Sequence, residues 1–80
     1  MKQLAIMKNV SIGCRDIGTP CMFFETYIDE SLAALQVLDW ERAYEIIKKA
    51  GVYDFKSLEG SACWVECDSN LIRFLDICKI

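Results

Sequence analysis

Asp39-Trp40-Glu41-Arg42-Ala43-Tyr44-Glu45-Ile46-Ile47-Lys48-Lys49-Ala50-Gly51 is the one stretch of this sequence that reads plainly as a helix. The Asp39 carboxylate can accept a free backbone N–H at the first turn. Glu41 near the start and Lys48 and Lys49 near the end complement the helix dipole. Gly51 suits the left-handed residue that terminates a helix. The spacing of Trp40, Ala43, Tyr44 and Ile47 predicts the stripe that packs on the rest of the fold. Glu45 and Lys49, four residues apart, form a favourable pair on the wet face.

Everything on either side of this helix reads as extended chain. Upstream, Leu4, Ile6, Val10, Ile12 and Cys14 share one parity, interrupted by Lys8, and predict a strand with these residues inward. Asp16-Ile17-Gly18-Thr19-Pro20 supplies turn chemistry, and Cys21 to Ile28 follows as an aromatic-rich strand, so the two form a hairpin. Ala33 to Leu38 is open between two readings: its alanine and leucine favour helix, its position before the helix cap favours a short strand, and we read strand. Downstream, Leu58-Glu59-Gly60 makes a turn and Ala62 to Cys67 a strand. Asp68-Ser69-Asn70 is a hairpin loop with Asn70 able to take the left-handed conformation. Leu71 to Cys78 is the last strand. Its faces are both apolar, with Leu71, Leu75 and Ile77 on one and Ile72, Phe74, Cys78 and Ile80 on the other, which predicts a central strand or a subunit contact.

The sum is an α+β fold: an antiparallel sheet of four to five strands with one helix packed on a face, in the order ββ(β)αββ. With 80 residues and no linker or repeat, residues 1–80 read as a single domain. The chain is 54% hydrophobic, above the usual share for a soluble domain of this size. The surplus predicts either a sheet covered on both faces or apolar surface shared with another chain, a host protein or a second copy in a homo-oligomer.

Chemistry is sparse. The sequence contains no histidine, which removes the commonest general base and metal ligand. A Ser-His-Asp or Cys-His arrangement is impossible within the chain. Acidic pairs such as Asp29/Glu30 and Glu25/Glu66 read as solvated charge. The reading is therefore not an enzyme, and no phosphate-cradling motif or cofactor signature is present. Cys63 and Cys67 have three residues between them; on a strand they share a face about 13 Å apart, too far for one tetrahedral metal. The five cysteines, Cys14, Cys21, Cys63, Cys67 and Cys78, read as reduced, small buried hydrophobes. A net charge of −3 with scattered basic residues argues against direct nucleic-acid binding. No apolar run has the length of a signal peptide or a membrane span, so the expected location is the cytoplasm.

Candidate contact residues are Arg15, Asp16 and Gln36, polar groups near strand ends that could converge at a subunit interface, and Trp64 with Glu66. Trp64 shares parity with Ala62 and Glu66 on the more polar face and can anchor a partner.

Val10-Ser11-Ile12-Gly13, Asp16-Ile17-Gly18, Ala34-Leu35-Gln36, Gly51-Val52-Tyr53-Asp54-Phe55, Leu58-Glu59-Gly60 and Cys63-Trp64-Val65-Glu66 occur in this order. Together they resemble a group of small proteins encoded by phages and prophages. The resemblance implies a non-catalytic accessory protein in the host cytoplasm that binds and blocks a host protein, such as a CRISPR or other anti-phage defence effector. Two alternatives follow: a homo-oligomeric protein that sequesters a nucleotide signal, and a self-associating structural or regulatory phage component.

Overall fold

The computed structural model describes residues 1–68 and 71–78. The expected left-handed Asn70, the rest of its loop from Ser69, and the placement of Ile80 lie outside the described residues. Five strands, β1 (Lys2–Asp16), β2 (Thr19–Asp29), β3 (Leu32–Asp39), β4 (Ala62–Asp68) and β5 (Leu71–Ile77), form one sheet in the order β3-β2-β1-β4-β5. All neighbours are antiparallel. The helix α1 (Trp40–Ala50) follows β3, and a short 3-10 helix (Phe55–Leu58) precedes β4. The α+β class, the early hairpin and the strand before the helix are as the sequence predicts.

The helix ends behave as their residues dictate. The Asp39 carboxylate accepts the Arg42 N–H at 2.9 Å, and Gly51 takes the left-handed conformation with φ 72°. The packing stripe differs from the expected one. Ala43 and Ile46 are buried, and Ile47 and Ala50 pack against the core. Trp40 and Tyr44 stay exposed. The helix lies against β2, β3, β5 and the 3-10 turn instead of across a flat sheet, and its inward face is turned by about 60° from the expected one. Ala43 and Ile46 share a core cluster with Phe74 and Ile77 of β5, and two polar contacts add to it. The Arg42 guanidinium donates to the Leu75 carbonyl, and Lys49 donates to the Asp76 carboxylate.

Two bulges set which side chains face inward. In β1 the inward residues are Ala5 and Met7, then Val10, with Ile12 packed against them. The parity switches at Asn9, where the pairing with β2 skips one residue between Lys8 and Ser11. Asn9 has φ 55°, a conformation that asparagine tolerates better than most residues. Its side-chain amide donates to Glu25. Leu4 and Ile6, expected in the core, are consequently on the outer face. In β5 a second irregularity, opposite Trp64 and Val65, carries Ile77 to the same inward side as Phe74.

The sheet curls until its two edges approach. Phe24 of β2 and Phe74 of β5 meet edge-on in the core, with ring centroids 5.1 Å apart. These strands are not neighbours in the sheet, so only curling brings them together. β5 is an edge strand, not the central strand expected from its doubly apolar pattern. Its inner residues face the core, and its free edge faces β3.

Gln36 joins those two edges. Its side-chain NH2 donates to the Ile72 carbonyl at 2.9 Å, and its side-chain oxygen accepts the Phe74 N–H at 3.2 Å. In a parallel ladder a residue donates to the carbonyl before its partner and accepts from the N–H after it. The Gln36 carboxamide therefore stands in for a strand residue opposite Arg73. The NH2 also donates to Thr26 Oγ1 at 3.3 Å, and Gln36 is 8% exposed.

Gln36→Leu keeps an inward side chain but leaves the Ile72 carbonyl and the Phe74 N–H without partners. Unpaired buried groups cost about 1–3 kcal/mol each, so chemical denaturation should show a loss of about 2–4 kcal/mol. A loss below about 0.5 kcal/mol would show that packing alone closes the seam.

Lys49 holds the Asp76 carboxyl below its ordinary value, chiefly by hydrogen bonding. A depressed carboxylate contributes stability above its unfolded pKa, and that stability is lost as pH falls through the folded value. Asp76→Asn should lower the melting temperature at neutral pH. The gap from the native sequence should close in acid, below the ordinary carboxylate range; a gap independent of pH would refute this.

Candidate functional site: the outer face of the sheet

The inner face is filled by core, so chemistry or recognition has to use the outer face, the seam or the loops. On the outer face the register aligns side chains in rows. Ala33, Tyr27, Ile6 and Ala62 run across β3, β2, β1 and β4. Leu4 lies beside Trp64, Leu35 beside Glu25, and Val37 beside Phe23. Leu4, Ile6, Leu35 and Val37 are exposed, Leu35 to 65%, and Tyr27 and Trp64 are half-buried. Strand spacing and rise give this patch on the order of 300 Å² in projection, a size at which exposed apolar patches on monomers are often functional. A shallow open cavity of about 260 Å³ lies between Leu4, Ile6, Tyr27 and Ala62.

Cations lie over the aromatic rings of the patch. The Lys2 ammonium is 4.7 Å from the centroid of the Trp64 ring, and that of Lys8 is 4.8 Å from Tyr27. Glu25 pairs in register with Lys8, and Glu66 stands between Lys2 and Arg73. Both signs are therefore present on this face, and the Glu25–Lys8 row runs between the Tyr27–Ile6 row and the Val37–Phe23 row. Aromatic and aliphatic side chains interleaved with such charges suit a protein partner.

The sequence-predicted contact residues separate into three places. Trp64 and Glu66 are on the outer face, as the parity of β4 predicts. Arg15 and Asp16 are exposed at the far end of β1, beside the turn at Ile17 and Gly18. Gln36 is inside the seam. It faces Phe24, and Cys14 faces Pro20, four residues away along β2, or about 13 Å at the strand rise. Arg15, Asp16 and Gln36 thus do not converge. Leu4, Ile6, Leu35 and Val37 were missing from the sequence-based site. The signal that could have found the first two is Asn9, a residue suited to positive φ in the middle of a strand.

A second cavity, of about 270 Å³, opens at the end of the seam between Gln3, Leu32, Ala34, Cys67 and Ile72. It is lined mainly by apolar side chains and holds no ionised group. Among the described residues no group of three or more Cys, Asp or Glu side chains could hold a metal ion. All five cysteines are free thiols. Cys21 and Cys63 are buried and Cys67 and Cys78 half-buried, but Cys14 is exposed, so it does not serve as a buried hydrophobe. Burial, with a smaller contribution from nearby Cys78, pushes the Cys63 thiol up to about 11. No helix of the described residues is long and apolar enough to cross a membrane.

No protein-family model matches the chain, nor does any curated protein or solved structure.

Thiol labelling follows from this arrangement. At pH 8 a thiolate-selective reagent should modify Cys14 first, and Cys63 only after denaturant is added. Early loss of Cys63 in the folded protein would contradict its burial.

Proposed function

We propose that this protein is a non-catalytic binding module that docks the outer face of its sheet into an apolar recess of another protein and blocks it. The observation that carries this reading is the cluster of Leu4, Ile6, Leu35 and Val37, left exposed around Tyr27 and Trp64. A curled sheet presents this face as a convex surface, which suits a concave partner. Trp64 and Tyr27 supply rigid aromatic anchors of the kind that dominate binding energy. The sequence resemblance to small phage-encoded proteins makes a host protein, such as a defence effector, the natural partner class. A sequence without histidine favours binding over catalysis. The nucleotide-sequestering alternative has less support, because Arg15, Asp16 and Gln36 lie apart.

The test is capture from bacterial lysate by the tagged protein, run beside Ile6→Asp and Leu35→Asp. Both positions are on the outer face, so the melting temperature should change little. The native sequence should retain one protein in stoichiometric amount, and each variant should lose it at least tenfold. Capture that survives both substitutions would exclude this face as the docking site.

A further inference from the structure

The curl turns the edges of β3 and β5 towards one another across the Gln36 seam. A further backbone edge runs along β1. β4 pairs with β1 only from Lys2 to Ile6, whereas β2 accompanies β1 to Asp16. Met7 and Val10 still find partners on that side, Met7 with the backbone of Ser61 and Gly60, and Val10 with the Glu59 carboxylate. Beyond Val10 the ladder is one-sided up to the turn at Ile17.

The direction of each backbone group on this edge follows from alternation. The Val10 N–H points to the edge, so Ile12 and Cys14 point there too. Pro20 confirms the phase: it faces Cys14 and has no N–H to donate across the hairpin. The N–H and C=O groups of Ile12 and Cys14 are therefore the unpaired ones, and they are symmetric about Gly13. Unpaired edge groups template the addition of another strand. Residues 11–14 carry neither lysine nor proline, the usual means of blunting such an edge.

We infer that Ser11–Arg15 of β1 pairs antiparallel with the same segment of a second copy, about a two-fold axis at Gly13. Ile12 of each protomer then lies opposite Cys14 of its partner, and each such pair exchanges both of its hydrogen bonds. Gly13, without a side chain, meets itself at the axis. Ser11 stands opposite Arg15, while Asp16 falls opposite Val10, where the Glu59 carboxylate holds the N–H and repels further pairing. Glu59 at one end and the turn at the other limit the ladder to this segment. The same register brings Ile17, fully exposed at the tip, towards the partner's Phe55–Leu58 turn, which flanks Val10. A second copy fits this edge because reversal of the segment reproduces its own pattern of donors and acceptors. The inference does not depend on the outer-face reading, since it uses a different surface.

The test combines light scattering across concentration with Cys14→Pro, which removes an outward N–H that no bond inside one protomer uses. The native sequence should run as a dimer at high concentration. Cys14→Pro should be monomeric at the same concentration, and Cys14→Ser should remain dimeric. Hydrogen exchange at the Ile12 and Cys14 amides of the native protein should slow with rising concentration. As a check that does not depend on proline, Ile12→Cys should form a covalent dimer through the partner's Cys14 on mild oxidation, since hydrogen-bonded pairs lie within disulfide reach. Adding Cys14→Ser should abolish that product. A native protein monomeric at every concentration, or no crosslink from Ile12→Cys, would overturn the inference. So would a Cys14→Pro dimer as tight as the native one.

Discussion

The fold depends on one side chain acting as backbone. Five antiparallel strands in the order β3-β2-β1-β4-β5 place β3 and β5, both edges, in parallel orientation. A curled sheet could close by pairing them directly or leave both open. Instead the Gln36 carboxamide offers one donor and one acceptor to β5, as a peptide group would. A wholly apolar residue there would leave β5 polar groups buried and unpaired. A charged one would cost more, because its charge would be desolvated without a counter-ion. The same curl brings Phe24 onto Phe74, seats the helix against β5, and turns the opposite face of the sheet outward as a convex surface.

Local pattern carried much of this fold. The helix between Asp39 and Gly51, the turn at Ile17 and Gly18, and the strand before the helix all rest on short-range chemistry, and all were legible. Parity within long strands was less so. A period of two assumes unbroken pleating, and β1 breaks it at Asn9 while β5 breaks it beyond Phe74. Each bulge moves every later side chain to the other face. That is why Leu4 and Ile6 read as core, and why β5 read as apolar on both faces: Ile77 belongs with Phe74, on the inner side of a strand whose register has slipped.

The contact residues divide along the same line. Trp64 and Glu66 were legible because β4 is short and regular where they lie. Gln36 was singled out as a polar residue in an apolar stretch, which was a sound signal of an unusual role. Its role is internal, however, because its partners come from β5, thirty-six and thirty-eight residues away along the chain. Nothing near Gln36 in sequence announces that distance. Arg15 and Asp16 project from a ribbon that outruns β4, and only the unequal lengths of β1 and β4 show that this ribbon has a free edge.

Closure and exposure are therefore two results of one constraint. A sheet of this size that curls far enough to bury Phe24 against Phe74 brings its outer edges together, where Gln36 pairs two groups of β5, and part of its apolar surplus stands on the convex face. A further edge is left where β1 is longer than its neighbour. An 80-residue chain has too little interior to bury 54% hydrophobic residues around a single small core. The excess has to face solvent or another protein. Part of it stands, with cations over its aromatic rings, on the face that curling leaves uncovered, which separates the surface available to a partner from the edge available to a second copy.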